Sequence, residues 1–136
     1  MAKTKKQTYI SAVGKRKTAS ARVRLYKGKG ENMVNALPME KYFPGKVNLA
    51  HWQKPFVLTE TLDKYYVSVK VTGSGKEAQL EAMVLGIARA FSEANTEKFR
   101  LTLKKAGLVK RDSRKRQRRM VGTGGKSRRK KQSPKR

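Results

Sequence analysis

The chain has 136 residues, which suffices for one domain of about 100 residues plus an extension and excludes two full enzyme domains. Its 35 Lys and Arg against 9 Asp and Glu give a net charge of +26, which predicts a polyanionic partner. Because it has no cysteine and no apolar run near the roughly 20 residues that cross a bilayer, we expect a cytoplasmic protein without disulfides or a membrane span.

The composition changes near residue 109. Residues 1–109 hold 48 of the 50 apolar side chains, whereas residues 110–136 hold 14 cations and a single carboxylate. A segment so poor in apolar side chains cannot offset its ordering entropy by burial. We therefore predict a globular body, residues 1–109, and an extended basic tail, residues 110–136, that is disordered when free and orders on its partner.

Three segments of the body alternate between apolar and polar residues in the manner of half-buried strands. In the second of them, Val23 and Leu25 would lie on one face and Arg22 and Arg24 on the other. The predicted strands span residues 7–13, 19–26 and 64–71.

The connection between the second and third strands is less regular. A turn signal at residues 27–30 followed by a short strand at 32–35 predicts a hairpin with the second strand. A short helix could open at Pro38, whereas Pro44 and Pro55 are expected to break any long element before residue 62.

The apolar spacing then changes to that of a helix. Leu80, Val84, Ile87 and Phe91 form one stripe of a helix predicted over residues 76–94. A second, shorter helix is expected between a cap at residues 95–97 and a glycine stop at residue 107. Strands followed by helices in so short a chain predict an α/β body in which one sheet carries its helices on one face.

The run Gly-Lys-Arg-Lys-Thr at residues 14–18 lies between two predicted strands and places three cations on a tight connection. Backbone amides and cations at such a turn suit phosphate oxygens, although a solvated charged turn is the simpler alternative. Arg22 and Arg24 favour binding, because an arginine can fork onto phosphate and stack on unpaired bases.

The tail favours a polyphosphate partner, since its crowded cations repel one another when free. This chemistry alone leaves RNA and DNA open. Its basic clusters lie at residues 114–119, at Lys126, at residues 128–131 and at Lys135 and Arg136.

No motif supports catalysis. The glycine-rich segments around Gly75 and Gly125 both fail the Walker pattern, and His51 is a lone histidine without a paired nucleophile or carboxylate. We therefore expect neither an enzyme nor a metal or other cofactor, and an RNA-acting enzyme is the weakest of the readings.

The residues also resemble a known family. Residues 14–25, with the sequence GKRKTASARVRL, resemble the amino-terminal signature of protein nine of the small ribosomal subunit in its bacterial form. Gln79, the run at residues 86–90, the segment at 107–112 and the closing Lys135 and Arg136 are similar to the same family in the same order.

The resemblance implies a two-layer α+β sandwich with a mixed sheet and helices on one face, followed by a long basic tail. It further implies a structural protein that binds the 3′ major domain of small-subunit rRNA, which forms the head, beside neighbouring head proteins. Partners would be rRNA and peptidyl-site (P-site) tRNA, with no DNA and no membrane, in the small subunit in the cytoplasm. The alternative is a general nucleic-acid-compaction protein, which the charge permits.

The resemblance also implies which residues contact RNA. Lys135 and Arg136 would approach the tRNA anticodon stem-loop. The implied rRNA contacts are Lys15, Arg16, Lys17, Thr18, Arg22, Arg24, Arg111, Arg114, Lys115, Arg116, Arg118, Arg119, Lys126, Arg128, Arg129, Lys130 and Lys131.

Overall fold

A computed structural model describes residues 8–122 of the chain. Within this range, strands dominate the first third, and the long helix predicted over residues 76–94 is present with those bounds. The elements in chain order are β1 (Tyr9–Arg16), β2 (Ala19–Lys27), β3 (Met33–Val34), β4 (Leu37–Pro38), α1 (Met39–Tyr42), α2 (Lys46–Leu58), β5 (Tyr65–Thr72), α3 (Lys76–Ala94) and α4 (Arg100–Lys105).

The strands form one mixed sheet in the order β1-β2-β5-β3-β4. The three long strands β1, β2 and β5 pair antiparallel, and β3 pairs parallel to β5 and antiparallel to β4. In β2, Val23 and Leu25 are buried whereas Arg22 and Arg24 are exposed, which confirms the predicted alternation.

Helix α3 packs across the buried side of β1 and β2, where two glycines allow a very close approach. A Cβ atom at Gly14 would overlap the carbonyl oxygen of Ala82, and a Cβ atom at Gly86 would lie 2.7 Å from Cγ2 of Val23. Helices α2 and α4 pack in turn against α3. The predicted α+β sandwich with helices on one face is therefore confirmed.

Phe91 of α3 lies at the centre of the aromatic core. Its ring meets those of Phe56 in α2, Tyr65 in β5 and Phe99 before α4, with centroid separations of 5.2, 5.5 and 5.8 Å and nearly perpendicular planes. Edge-to-face contacts of this kind add to the gain from burial. One side chain thereby joins three helical segments to the sheet.

The hairpin predicted between β2 and the following short strand is wrong. Both edges of β2 are already paired, one with β1 and the other with β5, so β2 has no free edge to offer. The short strand β3 joins the free edge of β5 instead. There, the side-chain oxygen of Asn32 accepts a hydrogen bond from the backbone nitrogen of Val67 at 3.1 Å, which extends this pairing.

The expected break at Pro55 is also wrong, because α2 continues through it to Leu58. A proline inside a helix forgoes one backbone hydrogen bond, but the chain beyond it can still bond normally. The carbonyl of Pro55 accepts from the backbone nitrogen of Thr59 at 3.2 Å, and Trp52 and Phe56 on the same helix are buried. This burial holds the helix together across the proline.

Candidate nucleic-acid interface

Charge is segregated in the body. The three long strands carry six cations and no carboxylate, whereas all nine acidic residues of the chain lie in helices, in loops or after α4. The cations are Lys15, Arg16, Arg22, Arg24, Lys27 and Lys70.

The side of the sheet away from α3 forms what we call the open face, and register arranges it in four rows across β1, β2 and β5. One row is aromatic, the next places an arginine between two serines, the third pairs Arg22 with Lys70, and the last contains Lys15. The rows, written from β1 to β5, are Tyr9–Tyr26–Tyr66, Ser11–Arg24–Ser68, Val13–Arg22–Lys70 and Lys15–Ser20–Thr72.

The structure separates the residues of the predicted turn at 14–18. Strand β1 continues through Arg16, so only Lys17 and Thr18 form the connection, where Lys17 has a φ of +53°. Lys15, Lys17 and Thr18 are exposed and available to a ligand. Arg16 points to the helical side of the sheet and retains only 9% of its exposure.

Arg16 connects the sheet, α3 and the start of the tail. Its Nε donates to Oε2 of Glu81 at 2.5 Å, and its Nη1 donates to the backbone carbonyl of Arg114 at 2.5 Å. The same Nη1 lies 3.3 Å from Oδ1 of Asp112. The arrangement satisfies a guanidinium that is nearly buried, and it fastens the first residues of the tail to the body.

Asp112 is held by the residue two positions later in the chain. Nε and Nη2 of Arg114 donate to the Asp112 carboxylate at 3.1 and 2.8 Å, and the Arg114 backbone nitrogen donates at 3.0 Å. The side-chain hydrogen bond from Arg114, followed by the backbone one, holds the pKa of Asp112 well below its usual range. The carboxylate therefore stays charged and keeps this turn closed.

The tail as far as residue 122 has no helix or strand and is largely exposed. Arg111, Lys115, Arg116, Arg118 and Arg119, all predicted RNA contacts, lie on this stretch. The remaining predicted tail contacts, Lys126, Arg128, Arg129, Lys130, Lys131, Lys135 and Arg136, lie outside the described residues.

Sequence reasoning missed Lys70 and the tyrosine row as parts of the candidate interface. The signal was present, because Lys70 lies between the buried Val69 and Val71 in β5, just as Arg22 lies between two buried apolar residues in β2. What the sequence lacked was the register that places Lys70 directly opposite Arg22.

Residues 8–122 contain no group of three or more His, Asp or Glu side chains that could hold a metal ion, and His51 is exposed on α2. In the same range, none of the helices combines the length and the apolar composition that crossing a membrane requires.

Comparison with known proteins identifies the family. The family described as ribosomal protein S9/S16 matches residues 14–136. The small ribosomal subunit protein uS9 of Amoebophilus asiaticus is 43% identical over 113 residues, which cover 83% of this chain and 88% of the relative. The uS9 proteins of Lawsonia intracellularis and Maridesulfovibrio salexigens are 44% and 45% identical, over 82% and 84% of this chain and 85% and 87% of theirs. The chain therefore belongs to the ribosomal protein S9/S16 family, whose members are structural proteins of the ribosome and not enzymes.

Proposed function

We propose that this chain, a structural constituent of the small ribosomal subunit in the bacterial cytoplasm, binds the 3′ major domain of the rRNA and reaches the P-site tRNA with the end of its tail. The observation that carries the proposal is the extent of the family match, which runs through the basic tail to residue 136. The tail thus belongs to the family's own architecture.

The body would contribute exposed cations from two adjoining places. Lys15, Arg22 and Arg24 lie on the open face, and Lys17 and Thr18 lie at the turn beside it. Arginine and lysine side chains are the main ligands of RNA phosphates, and backbone amides at a turn add to them. These residues would seat the body on the head rRNA beside the neighbouring head proteins.

The tail would contact rRNA first and tRNA last. The cations from Arg111 onward are spaced along a chain that, fully extended, covers about 3.3 to 3.6 Å per residue. Arg16 sets where this chain leaves the body, because it binds the backbone at Arg114. Lys135 and Arg136 would then approach the backbone of the tRNA anticodon stem-loop.

The experiment is tRNA binding to small subunits that carry the variant Lys135→Gln/Arg136→Gln. We expect normal incorporation into subunits and weaker binding of tRNA in the P site, with a shallower dependence on salt. The matched control, Lys46→Gln/Lys54→Gln on α2, removes the same charge from the body and should leave tRNA binding unchanged. Equal tRNA affinity of the tail variant and the wild type at every salt concentration would contradict the proposal.

A further inference from the structure

The open face is a cationic surface that the described part of the chain leaves uncovered. Its central positions Ser11, Arg22, Arg24, Ser68 and Lys70 are all exposed, and all four helices lie on the other side of the sheet or at its edge. Neighbouring strands lie about 4.8 Å apart, and residues two positions apart on one strand lie about 6.6 Å apart. The cations of adjacent rows are therefore close enough to contact one stretch of a polyanion.

The neighbouring positive charges of Arg22 and Lys70 destabilise the folded sheet. The two residues are directly opposite in the antiparallel β2–β5 pairing, where like charges destabilise a sheet. No carboxylate lies on these strands to offset the repulsion. A bound anion would remove the repulsion, so the arrangement favours an anionic ligand over an empty, solvated surface.

The tyrosine row at the end of the open face is packed against itself. The Tyr26 and Tyr66 rings stack at 5.1 Å with planes 12° apart, and a Cβ atom at Gly30 would lie 2.7 Å from Cγ of the Tyr66 ring. At the other end, the guanidinium of Arg24 lies 4.9 Å over the Tyr9 ring. Most of the ring surface of Tyr26 and Tyr66 is thus covered by protein, and one face of Tyr9, which is 44% exposed, carries Arg24. The row therefore offers little ring surface to a stacked base.

We propose that the open face binds the phosphate backbone of folded RNA without reading bases, with Arg22 and Lys70 as its central pair and Lys15 and Arg24 beside them. Hydroxyl groups of Ser11 and Ser68 flank Arg24 and can donate to phosphate oxygens. The proposal rests on the proposed function for the class of its partner, RNA. It adds Lys70 and the mode of recognition.

The test uses the full chain and an in vitro transcript of the 3′ major domain, with affinity measured by fluorescence anisotropy over a series of salt concentrations. Each phosphate contact that is lost should reduce the magnitude of the negative slope of log affinity against log salt by about one. We expect Arg22→Gln/Lys70→Gln to reduce that magnitude by about two. Lys46→Gln/Lys54→Gln, which removes equal charge from α2, should leave it unchanged.

A second measurement separates binding from folding. Lys70→Gln alone should raise the melting temperature of the free protein while it weakens RNA binding, because it relieves the repulsion from Arg22. A variant that simply failed to fold would melt at a lower temperature. A lower melting temperature together with an unchanged slope would overturn the proposal.

Other outcomes distinguish this proposal from the proposed function. An unchanged slope for the open-face variant, while removal of residues 110–136 still weakens binding, would overturn the open-face proposal and leave the ribosomal function standing. A loss of affinity that is constant across the salt series would indicate base stacking and would also overturn it. Normal binding of the open-face variant to the protein-free transcript, together with poor incorporation into subunits, would also overturn the open-face proposal. That result would indicate that an acidic protein, and not RNA, covers the open face.

Discussion

The guanidinium of Arg16 donates a hydrogen bond to the backbone carbonyl of Arg114, 2.5 Å away and 98 positions later in the chain. The bond joins the end of an edge strand to the basic tail, and the Glu81 carboxylate on α3 holds the same guanidinium from the other side. The contacts of the body therefore reach beyond residue 109. The tail therefore leaves the body from a defined point.

Arg16→Met tests this connection. The substitution leaves Glu81 and the Arg114 carbonyl without their donor, and loss of a hydrogen-bonded charge that is nearly buried should cost about 2 kcal/mol of unfolding free energy. Urea denaturation measures the change. Lys15→Gln, at the exposed neighbouring position, is the control and should change stability by less than about 0.5 kcal/mol. Equal stability of the two variants would show that Arg16 does not fasten the tail.

Because α3 packs so closely on β1, adding one methyl group at a glycine of this contact should strongly reduce the stability of the body. Gly14→Ala and Gly86→Ala should each destabilise the body by at least about 1 to 3 kcal/mol, because the new Cβ atom meets backbone or a packed valine. Thermal unfolding measures both. Gly75→Ala, where nothing lies within 4 Å, should cost no more than about 1 kcal/mol as a poorer helix cap. A mild effect at Gly14 would contradict the packing described.

Asp112 should titrate abnormally. Hydrogen bonds from Arg114 depress its pKa in the folded protein, so the contact is fully present above the ordinary value of 3.8 and is lost as the pH falls through the depressed one. Carbon NMR of the Asp112 carboxyl should therefore show no midpoint near 3.8. Arg114→Gln should return the midpoint toward that value. An ordinary titration in the wild type would mean that the Asp112–Arg114 pair is open in solution.

Phe91 should be the most costly aromatic side chain to truncate. Phe91→Ala removes a fully buried ring that contacts three other aromatic rings, and we expect a loss of about 3 to 5 kcal/mol. Leu101→Ala, at a position that is 63% exposed, should change stability by less than about 0.5 kcal/mol. Calorimetry measures the stability of both variants, and equal losses for Phe91→Ala and Leu101→Ala would show that the core is not centred on Phe91.

Periodicity was enough to predict most of the fold. The three long strands and α3 could be found because each buries a regular stripe that recurs every two residues in a strand and about every 3.6 in a helix. The pairing of β3 could not be found, because it depends on which strand edges remain free after β2 and β5 have paired. The helix break predicted at Pro55 was wrong for a related reason. Helix α2 packs against α3, and the burial of Trp52 and Phe56 in that packing cannot be predicted from the local sequence.

The interface was predictable only in part. Arg22 and Arg24 follow from the alternation in β2 alone. Arg16 was grouped with its basic neighbours, although it shares its parity with the buried Ala12 and Gly14 and so belongs on the helical side. Its partners Glu81 and Arg114 are 65 and 98 positions away, and no local pattern could connect them. Its predicted contact with rRNA stays a prediction.

The proposed place of this protein in the small subunit is tested by sedimentation of a cell lysate through a high-salt gradient, followed by sequencing of RNA crosslinked to this protein. High salt removes proteins held by charge alone. We expect the protein to stay with small subunits, with crosslinks in the 3′ major domain of their rRNA and tRNA adducts near the tail. Release from the subunits, or crosslinks spread over all RNA and DNA, would contradict it and favour a general nucleic-acid-binding protein.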